Sequence, residues 1–281
     1  MEVASSRGAD GGSAAIGKAF KLLNAFTVER PWWTLSELAA TSAMPVSTTS
    51  RLLAALERVG AVRRDAATLR YSIGAGVLPW ARVAQLSLSA HQDIRQTLVH
   101  LAAATGETAA VYLQQGTSRI CIDVVQSSQP VHRAIPLGEA ALLTSGAAGR
   151  IIVSYLTDDE QRALGLDAAS IEQLRQARQG GLVCAYRDRL KDAWAIASPL
   201  KNERGETVSA LVLTGPVSRY RPTLFLAWGA LVREAARACS VRAGAPPSSL
   251  REFDGPVCGP VIFGAVPPQE SREPGDEEGT R

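Results

Sequence analysis

Apolar and polar positions near the start of the chain repeat with a helical period. Segment 16–26 carries apolar residues at i, i+3, i+4, i+7 and i+10, which predicts a first helix that Arg30 and Pro31 end. Thr34 and Glu37 then have the spacing of a capping box, in which each residue satisfies a backbone N–H at the start of a helix. A second, short helix is therefore predicted to begin at Thr34.

A third helix is predicted from Pro45 to about Val59, where Gly60 can stop it. One side of this helix is apolar, whereas its first turns carry the hydroxylated and basic stretch Ser47–Arg51. Two strand-like runs follow, AVRRD and LRYSIG, separated by the polar turn AAT. The order of helix, short helix, tight turn, helix and hairpin predicts a winged helix-turn-helix over residues 16–75.

The rest of the chain predicts a second domain behind a connector. Helical spacing favours a connector helix over 76–90, and mixed strands and helices over 91–244 predict an α+β domain of the kind found in sensors. Residues 1–15 and 245–281 are rich in small residues or in proline, glycine and acidic side chains. Both are predicted to be disordered tails.

Composition narrows the class of protein. The chain has 281 residues, of which 46% are hydrophobic and 20% charged, as expected for a globular protein of two modest domains. It has no apolar run long enough to span a membrane and no signal-peptide pattern at its start, so we expect a cytoplasmic protein. The four cysteines lack C-x-x-C spacing and the three histidines lie far apart. Neither a disulfide framework nor a metal site is indicated.

Catalytic motifs are missing as well. The sequence contains no P-loop, no G-x-S-x-G and no complete dinucleotide fingerprint, so we expect no catalytic residues and no cofactor.

Charge is distributed unevenly along the chain. Residues 16–75 hold eight Lys and Arg against four Asp and Glu, a balance of +4, whereas residues 250–281 hold three against seven, a balance of −4. The basic end is the predicted helix-turn-helix. This distribution favours a partner that carries phosphates, namely double-stranded DNA.

The DNA-binding candidates fall into two groups. The leading end of the third helix would enter the major groove, where hydroxyls and guanidinium groups contact phosphates and base edges. The wing could contact flanking phosphates or the minor groove. The candidates are Val46, Ser47, Thr48, Thr49 and Arg51 in the helix and Arg63, Arg64 and Arg70 in the wing. The alternatives are a serine-rich helix start that caps itself and a solvated hairpin.

The stretch TSGAAGRII at 144–152 is the other segment of interest. Its small residues would let a ligand approach the backbone, and the free N–H groups of the helix that begins there would attract an anion. An ordinary helix cap, with small residues that serve packing, explains the same pattern equally well.

Several longer motifs together resemble the IclR family of bacterial transcriptional regulators. The first domain is echoed by AIGKAFKLLNAF and TLSELAATSAMPVSTTSRLLAALERVGAVRRD, and the second by AAGRIIVSYL and AIASPLKNERGETVSALVLTGP. The resemblance covers nearly everything from Ala15 to Gly244. It implies that 91–244 is a GAF-like domain that binds an effector and forms oligomers. It also implies a dimer or tetramer that binds a palindromic operator and responds to a small metabolite, often a carboxylic or aromatic acid.

The resemblance also implies effector-binding positions and shows where this chain departs from the family. Ala43 stands at a usual turn glycine, and Val46 at a frequent lysine or arginine. Non-polar side chains occupy three of the four positions where the family commonly has acidic, cysteine or small hydroxylated residues, so the resemblance implies a less polar pocket and an apolar or aromatic effector. The implied effector-binding positions are Ser145, Gly146, Ala147, Ala185, Ala195, Val212 and Thr214.

Two other classes of protein stay open at this point. The second domain could be an enzyme fused to a DNA-binding module, which turnover of a substrate would reveal. The short helices could instead form a protein-interaction module, and such a protein would show no salt-sensitive binding to duplex DNA.

Overall fold

The computed structural model describes residues 9–88, 92–253 and 261–265. The chain forms two compact units that divide between Ser87 and Leu88. Of the two predicted disordered tails, residues 1–8, 254–260 and 266–281 lie outside the described residues.

The first unit contains the predicted winged helix-turn-helix. A hairpin follows the helices, with Arg63 opposite Ser72, and Trp33 extends it through a single antiparallel bridge to Tyr71. The predicted order of elements is confirmed. The elements are α1 (Ala9–Leu23), α2 (Leu35–Thr41), α3 (Val46–Arg58), β1 (Val62–Arg64), β2 (Tyr71–Ile73) and α4 (Leu78–Leu88).

The turn between α2 and α3 is built from hydrogen bonds that close α2. The N–H of Ala43 donates to Ala40 O at 3.1 Å, and the N–H of Met44 donates to Ala39 O at 3.0 Å. These two bonds form a Schellman motif, which requires a left-handed residue at its penultimate position. Ala43 occupies that position with φ of 50°, although glycine is the residue that adopts it without steric strain.

The core of the first unit joins the three helices to the hairpin. Leu22, Leu38 and Leu53 are completely buried there. The apolar stripe predicted for α1 is partly wrong, because Ile16 and Phe20 are 63% and 60% exposed and Leu22 makes the central contact. The helix also begins earlier than predicted, since the alanines among residues 9–15 favour helix.

The second unit is one seven-stranded sheet with helices on both faces. The strand order is β5-β4-β3-β8-β7-β6-β9, and every pair is antiparallel except β6 with β9. This α+β architecture confirms the predicted fold class. The elements are α5 (Gln92–Thr105), β3 (Thr108–Gln115), β4 (Ser118–Val125), β5 (Ala140–Leu142), α6 (Gly146–Val153), α7 (Asp158–Ala163), α8 (Ala168–Gly180), β6 (Val183–Tyr186), β7 (Ala193–Lys201), β8 (Thr207–Pro216), α9 (Pro222–Arg242) and β9 (Val261–Gly264).

Each face of this sheet has its own core. On one face Leu98 of α5 and Val232 of α9 are fully buried against the strands. On the other face Ile151 and Ile152 of α6 are fully buried beside Leu174 of α8. The second face carries the cleft described below.

The C-terminal segment is folded over residues 245–253 and 261–265, and the prediction of disorder there is wrong. Phe263 pairs with Ala185 across the parallel β6–β9 ladder and is buried. The Glu252 carboxylate lies 3.0 Å from the Lys201 ammonium. The prediction rested on the overall composition of this segment, whereas a few of its apolar and charged residues pack against distant parts of the chain.

Candidate nucleic-acid interface and ligand cleft

The N-terminal end of α3 is open to solvent and lacks a side-chain cap. Pro45 takes the N-cap position in extended conformation, one residue before its predicted place inside the helix. In the part of the chain that the structure describes, no side chain caps this helix end, so the hydroxyls of Ser47 and Thr48 are not used for self-capping. The alternative of a serine-rich start that caps itself is therefore wrong. The uncapped N–H groups remain available to a phosphate.

The exposed side of α3 contains most of the predicted helix contacts. Val46, Ser47 and Arg51 are exposed and Thr48 is half-buried. Thr49 is completely buried, and its hydroxyl donates to Pro45 O at 3.1 Å. It cannot reach DNA, and the prediction of a contact there is wrong, because the fourth residue of this helix already faces the core with Leu53.

The wing presents three exposed arginines in different settings. The Nε of Arg63 donates to the Ser72 hydroxyl at 3.1 Å, and Arg64 lies over the Tyr71 ring at 5.5 Å. Because consecutive strand residues point to opposite faces, Arg63 and Arg64 do not share one face of the hairpin. Arg70 follows the turn and is also exposed.

An open cleft lies between α6 and the sheet of the second unit, and its floor includes positions that the resemblance implies for the effector. Ala185 is paired with Ala195, and Ala195 with Thr214, so these residues of three adjacent strands form one row. Val212 lines the floor beside them, and the Thr214 hydroxyl donates to Trp194 O at 2.5 Å. The floor is therefore mainly apolar, as predicted.

The start of α6 forms one wall of the cleft. Of the three positions that the resemblance implies here, Gly146 and Ala147 line the cleft and Ser145 does not. The Ser145 hydroxyl lies 3.3 Å from Leu142 O. Gly146 has φ of 68°, and its N–H donates to Oδ2 of Asp188 at 2.9 Å. This carboxylate also accepts two hydrogen bonds from Arg150.

The wall also contains side chains that sequence reasoning missed. Arg119 is 3% exposed and lies over the Tyr112 ring at 5.4 Å. A β-carbon added to Gly149 would clash with the backbone carbonyl of Leu143 and would lie 2.6 Å from the Arg119 Nη1, so this glycine makes room for both groups. The expectation of a less polar pocket is wrong for the wall. Its further charged members are Arg133, Asp188 and Arg189.

A sequence signal for Arg119 existed but was ambiguous. The apolar residues Ile120, Ile122 and Val124 alternate along β4, which places Arg119 and Cys121 on the other face. Only the packing of α6 over that face shows that it is buried and borders a cleft.

The described residues contain neither a metal cluster nor a membrane-spanning helix. Across 9–88, 92–253 and 261–265, no three His, Cys, Asp or Glu side chains are grouped to hold a metal ion. No helix in the same ranges has the length and apolar character needed to cross a bilayer.

Comparisons with known proteins agree with the two units. Residues 15–66 match the IclR helix-turn-helix domain, and residues 85–241 match the bacterial transcriptional regulator IclR C-terminal domain. The HTH-type transcriptional repressor AllR of Salmonella paratyphi A is 25% identical over 227 residues, which cover 76% of this chain and 84% of AllR.

Two solved structures share the fold. An IclR transcriptional regulator from Alicyclobacillus acidocaldarius aligns with a TM-score of 0.74 at 21% identity, covering 82% of this chain and 99% of the other. An IclR homologue from Microbacterium hydrocarbonoxydans, solved with 4-hydroxybenzoate, aligns with a TM-score of 0.67 at 16% identity, covering 82% and 98%. The two domain matches span most of the chain, and the protein belongs to the IclR family of bacterial transcriptional regulators, which are not enzymes.

Proposed function

We propose that this chain is a cytoplasmic, homo-oligomeric regulator that binds a palindromic operator through α3 and changes its affinity for that operator when a small metabolite occupies the cleft. The observation that carries the proposal is the two-sided character of α3. Leu53 and Thr49 anchor one side in the core, while Ser47 and Arg51 project from the other.

The exposed side of α3 suits the major groove. A helix fits this groove, and hydroxyl and guanidinium groups near its start contact phosphates and base edges. Arg51 is assigned to a phosphate, because phosphate contacts outnumber base contacts in such interfaces. Val46 adds a small apolar contact at the leading end, where related proteins frequently have a cation.

An exposed apolar face on α1 supports a homo-oligomer. Ile16 and Phe20 lie one helical turn apart and are both mostly exposed. Contact with a second copy would remove these side chains from water. Two copies related by a twofold axis would place their α3 helices on half-sites about 34 Å apart, which is why the operator would be palindromic.

The cleft supports regulation by a small carboxylic or aromatic compound. The floor of Ala185, Ala195 and Val212 offers apolar surface for a ring or chain. The Microbacterium hydrocarbonoxydans relative was solved with an aromatic acid, 4-hydroxybenzoate. Such a ligand alters DNA binding only when it has different affinities for the two arrangements of the protein.

The test is a binding titration on duplex DNA from the region upstream of the gene, run over a series of salt concentrations. Arg51→Ala should weaken binding similarly on all sequences and reduce the salt slope by about one, as expected for one lost phosphate contact. Arg58→Ala is the matched control, because Arg58 lies exposed at the opposite end of α3. If Arg51→Ala and Arg58→Ala lose the same DNA affinity, or if the wild type shows no salt-sensitive binding, α3 is not the DNA-binding helix.

A further inference from the structure

The charges around the cleft do not balance. Arg133 and Arg189 share one carboxylate, that of Glu139, at 3.2 and 2.6 Å. Arg150 has a partner of its own in Asp188, at 2.9 Å. Among the described residues around the cleft, Arg119 brings the number of guanidinium groups to four, against the two carboxylates of Glu139 and Asp188, which is an excess of two positive charges.

Arg119 is the more unusual of the uncompensated cations, because it is buried. One of its Nη atoms donates to Leu142 O, and its Nε has no hydrogen-bond partner. Within the described residues no carboxylate lies at ion-pair distance from it. Burial lowers the pKa of Arg119 to about 10, so the group stays charged at neutral pH. A buried charge with an unsatisfied N–H is costly until an anion reaches it.

The uncompensated charge is directed at the cleft beside α6. A β-carbon built on Gly146 would lie 3.1 Å from Nη2 of Arg119 and 3.7 Å from Cβ of Arg189, so both arginines flank this residue. All three line the cleft. A guanidinium group can bind a carboxylate or phosphate through two parallel hydrogen bonds, which fixes the orientation of the bound group.

The floor cannot perform this task. Ala185, Ala195 and Val212 carry no polar side-chain atoms, and the Thr214 hydroxyl already donates to a backbone carbonyl. Tyr112 also lines the cleft from the sheet but offers only a neutral hydroxyl, so the charge that holds an acidic group comes from the wall, while the apolar part of the ligand lies on the floor.

We infer that the effector is a dianion with a short apolar body. Arg119 binds one of its acidic groups, and Arg189 compensates its second negative charge. This inference rests on the proposed effector role of the cleft and deepens it. A dicarboxylate and a phosphate monoester supply the same charge, and the experiment separates them.

The experiment measures binding to the full chain, without DNA, by calorimetry and thermal shift. Two probe series have constant shape and falling charge: isophthalate with its monoamide and diamide, and glutarate with its monoamide and diamide. Phenyl phosphate represents the phosphate source. We expect at least tenfold tighter binding of one dianion than of its monoamide, and no binding of the diamide. Tighter binding of phenyl phosphate than of either diacid assigns the site to a phosphate ester.

Three variants assign the charges. Arg119→Gln should abolish binding of the dianion, and Arg189→Gln should remove the preference for dianion over monoamide while the monoamide still binds. Arg95→Gln should change neither result, because Arg95 pairs with Asp123 and does not line the cleft. Arg119→Met provides a structural check: removing an uncompensated cation should leave the melting temperature of the free protein unchanged or raise it.

Several outcomes would overturn the inference. These are equal affinity for a diacid and its diamide, full binding by Arg119→Gln, no binding of any dianion at millimolar concentration, or a lower melting temperature for free Arg119→Met. The DNA titration on wild-type protein is independent. If the protein binds the operator but no dianion, only the inference of a dianionic effector is refuted. If it binds a dianion but no operator, the proposed function is refuted.

Discussion

Ala43 should be a strained position whose replacement by glycine stabilises the DNA-binding unit. Its φ of 50° lies in the left-handed region, which the Schellman motif at the end of α2 requires. An L-residue with a β-carbon pays about 1–2 kcal/mol there. Glycine removes this strain but costs about 0.5–1 kcal/mol more backbone entropy on folding than alanine does.

The difference between these two terms sets the expected magnitude. Ala43→Gly should raise the free energy of unfolding of the first unit by about 0.75 kcal/mol, the difference between the midpoints of the two ranges, which is roughly a threefold change in its opening equilibrium. Hydrogen exchange of amides within residues 35–58 measures that equilibrium in the intact chain, separately from the second unit.

Ala54→Gly is the matched control for the same chemical change. Ala54 is exposed within α3, where glycine should cost about 1 kcal/mol and accelerate exchange. If Ala43→Gly slows hydrogen exchange and Ala54→Gly accelerates it, the strain at Ala43 is supported, because the same substitution is made in two different backbone conformations. If Ala43→Gly instead accelerates exchange as much as the control does, the turn carries no left-handed strain and the reasoning fails.

Two further substitutions test particular contacts. Thr49→Val should leave operator affinity unchanged within about twofold, because Thr49 is buried. Ser47→Ala should weaken operator binding, because Ser47 is exposed on the DNA-facing side. If the duplex titration shows a loss of affinity for Thr49→Val alone, the buried placement of Thr49 is wrong. Glu252→Gln should destabilise the second unit by about 3 kcal/mol, the lower end of the range for breaking a buried pair, because the buried Lys201 loses its counter-charge but keeps an acceptor. A urea titration measures this loss, with exposed Glu203→Gln as the control, and equal midpoints for both variants would refute it.

Local chemistry determined much of the first unit. The capping box at Thr34, the turn before α3 and the hairpin depend on residues close together in sequence, so their types and spacing predict them. The sequence predicted less well which side chains of a helix face the core. A helix rotated by one position exchanges buried and exposed residues, which is why the α1 stripe centres on Leu22. Thr49 lies one turn before Leu53 and shares its buried face, so the DNA contact predicted there conflicts with the helical period.

In the second unit the floor residues Ala185, Ala195 and Val212 were indicated by the resemblance to the family, and the strand pairing places them beside one another. The wall was decided by the tertiary structure. Arg119 and Arg189 are 70 residues apart, and only the strand order and the packing of α6 bring them to one opening. Whether a charge is compensated depends on distances between remote groups in a medium of low polarity, and no local pattern in the sequence contains those distances.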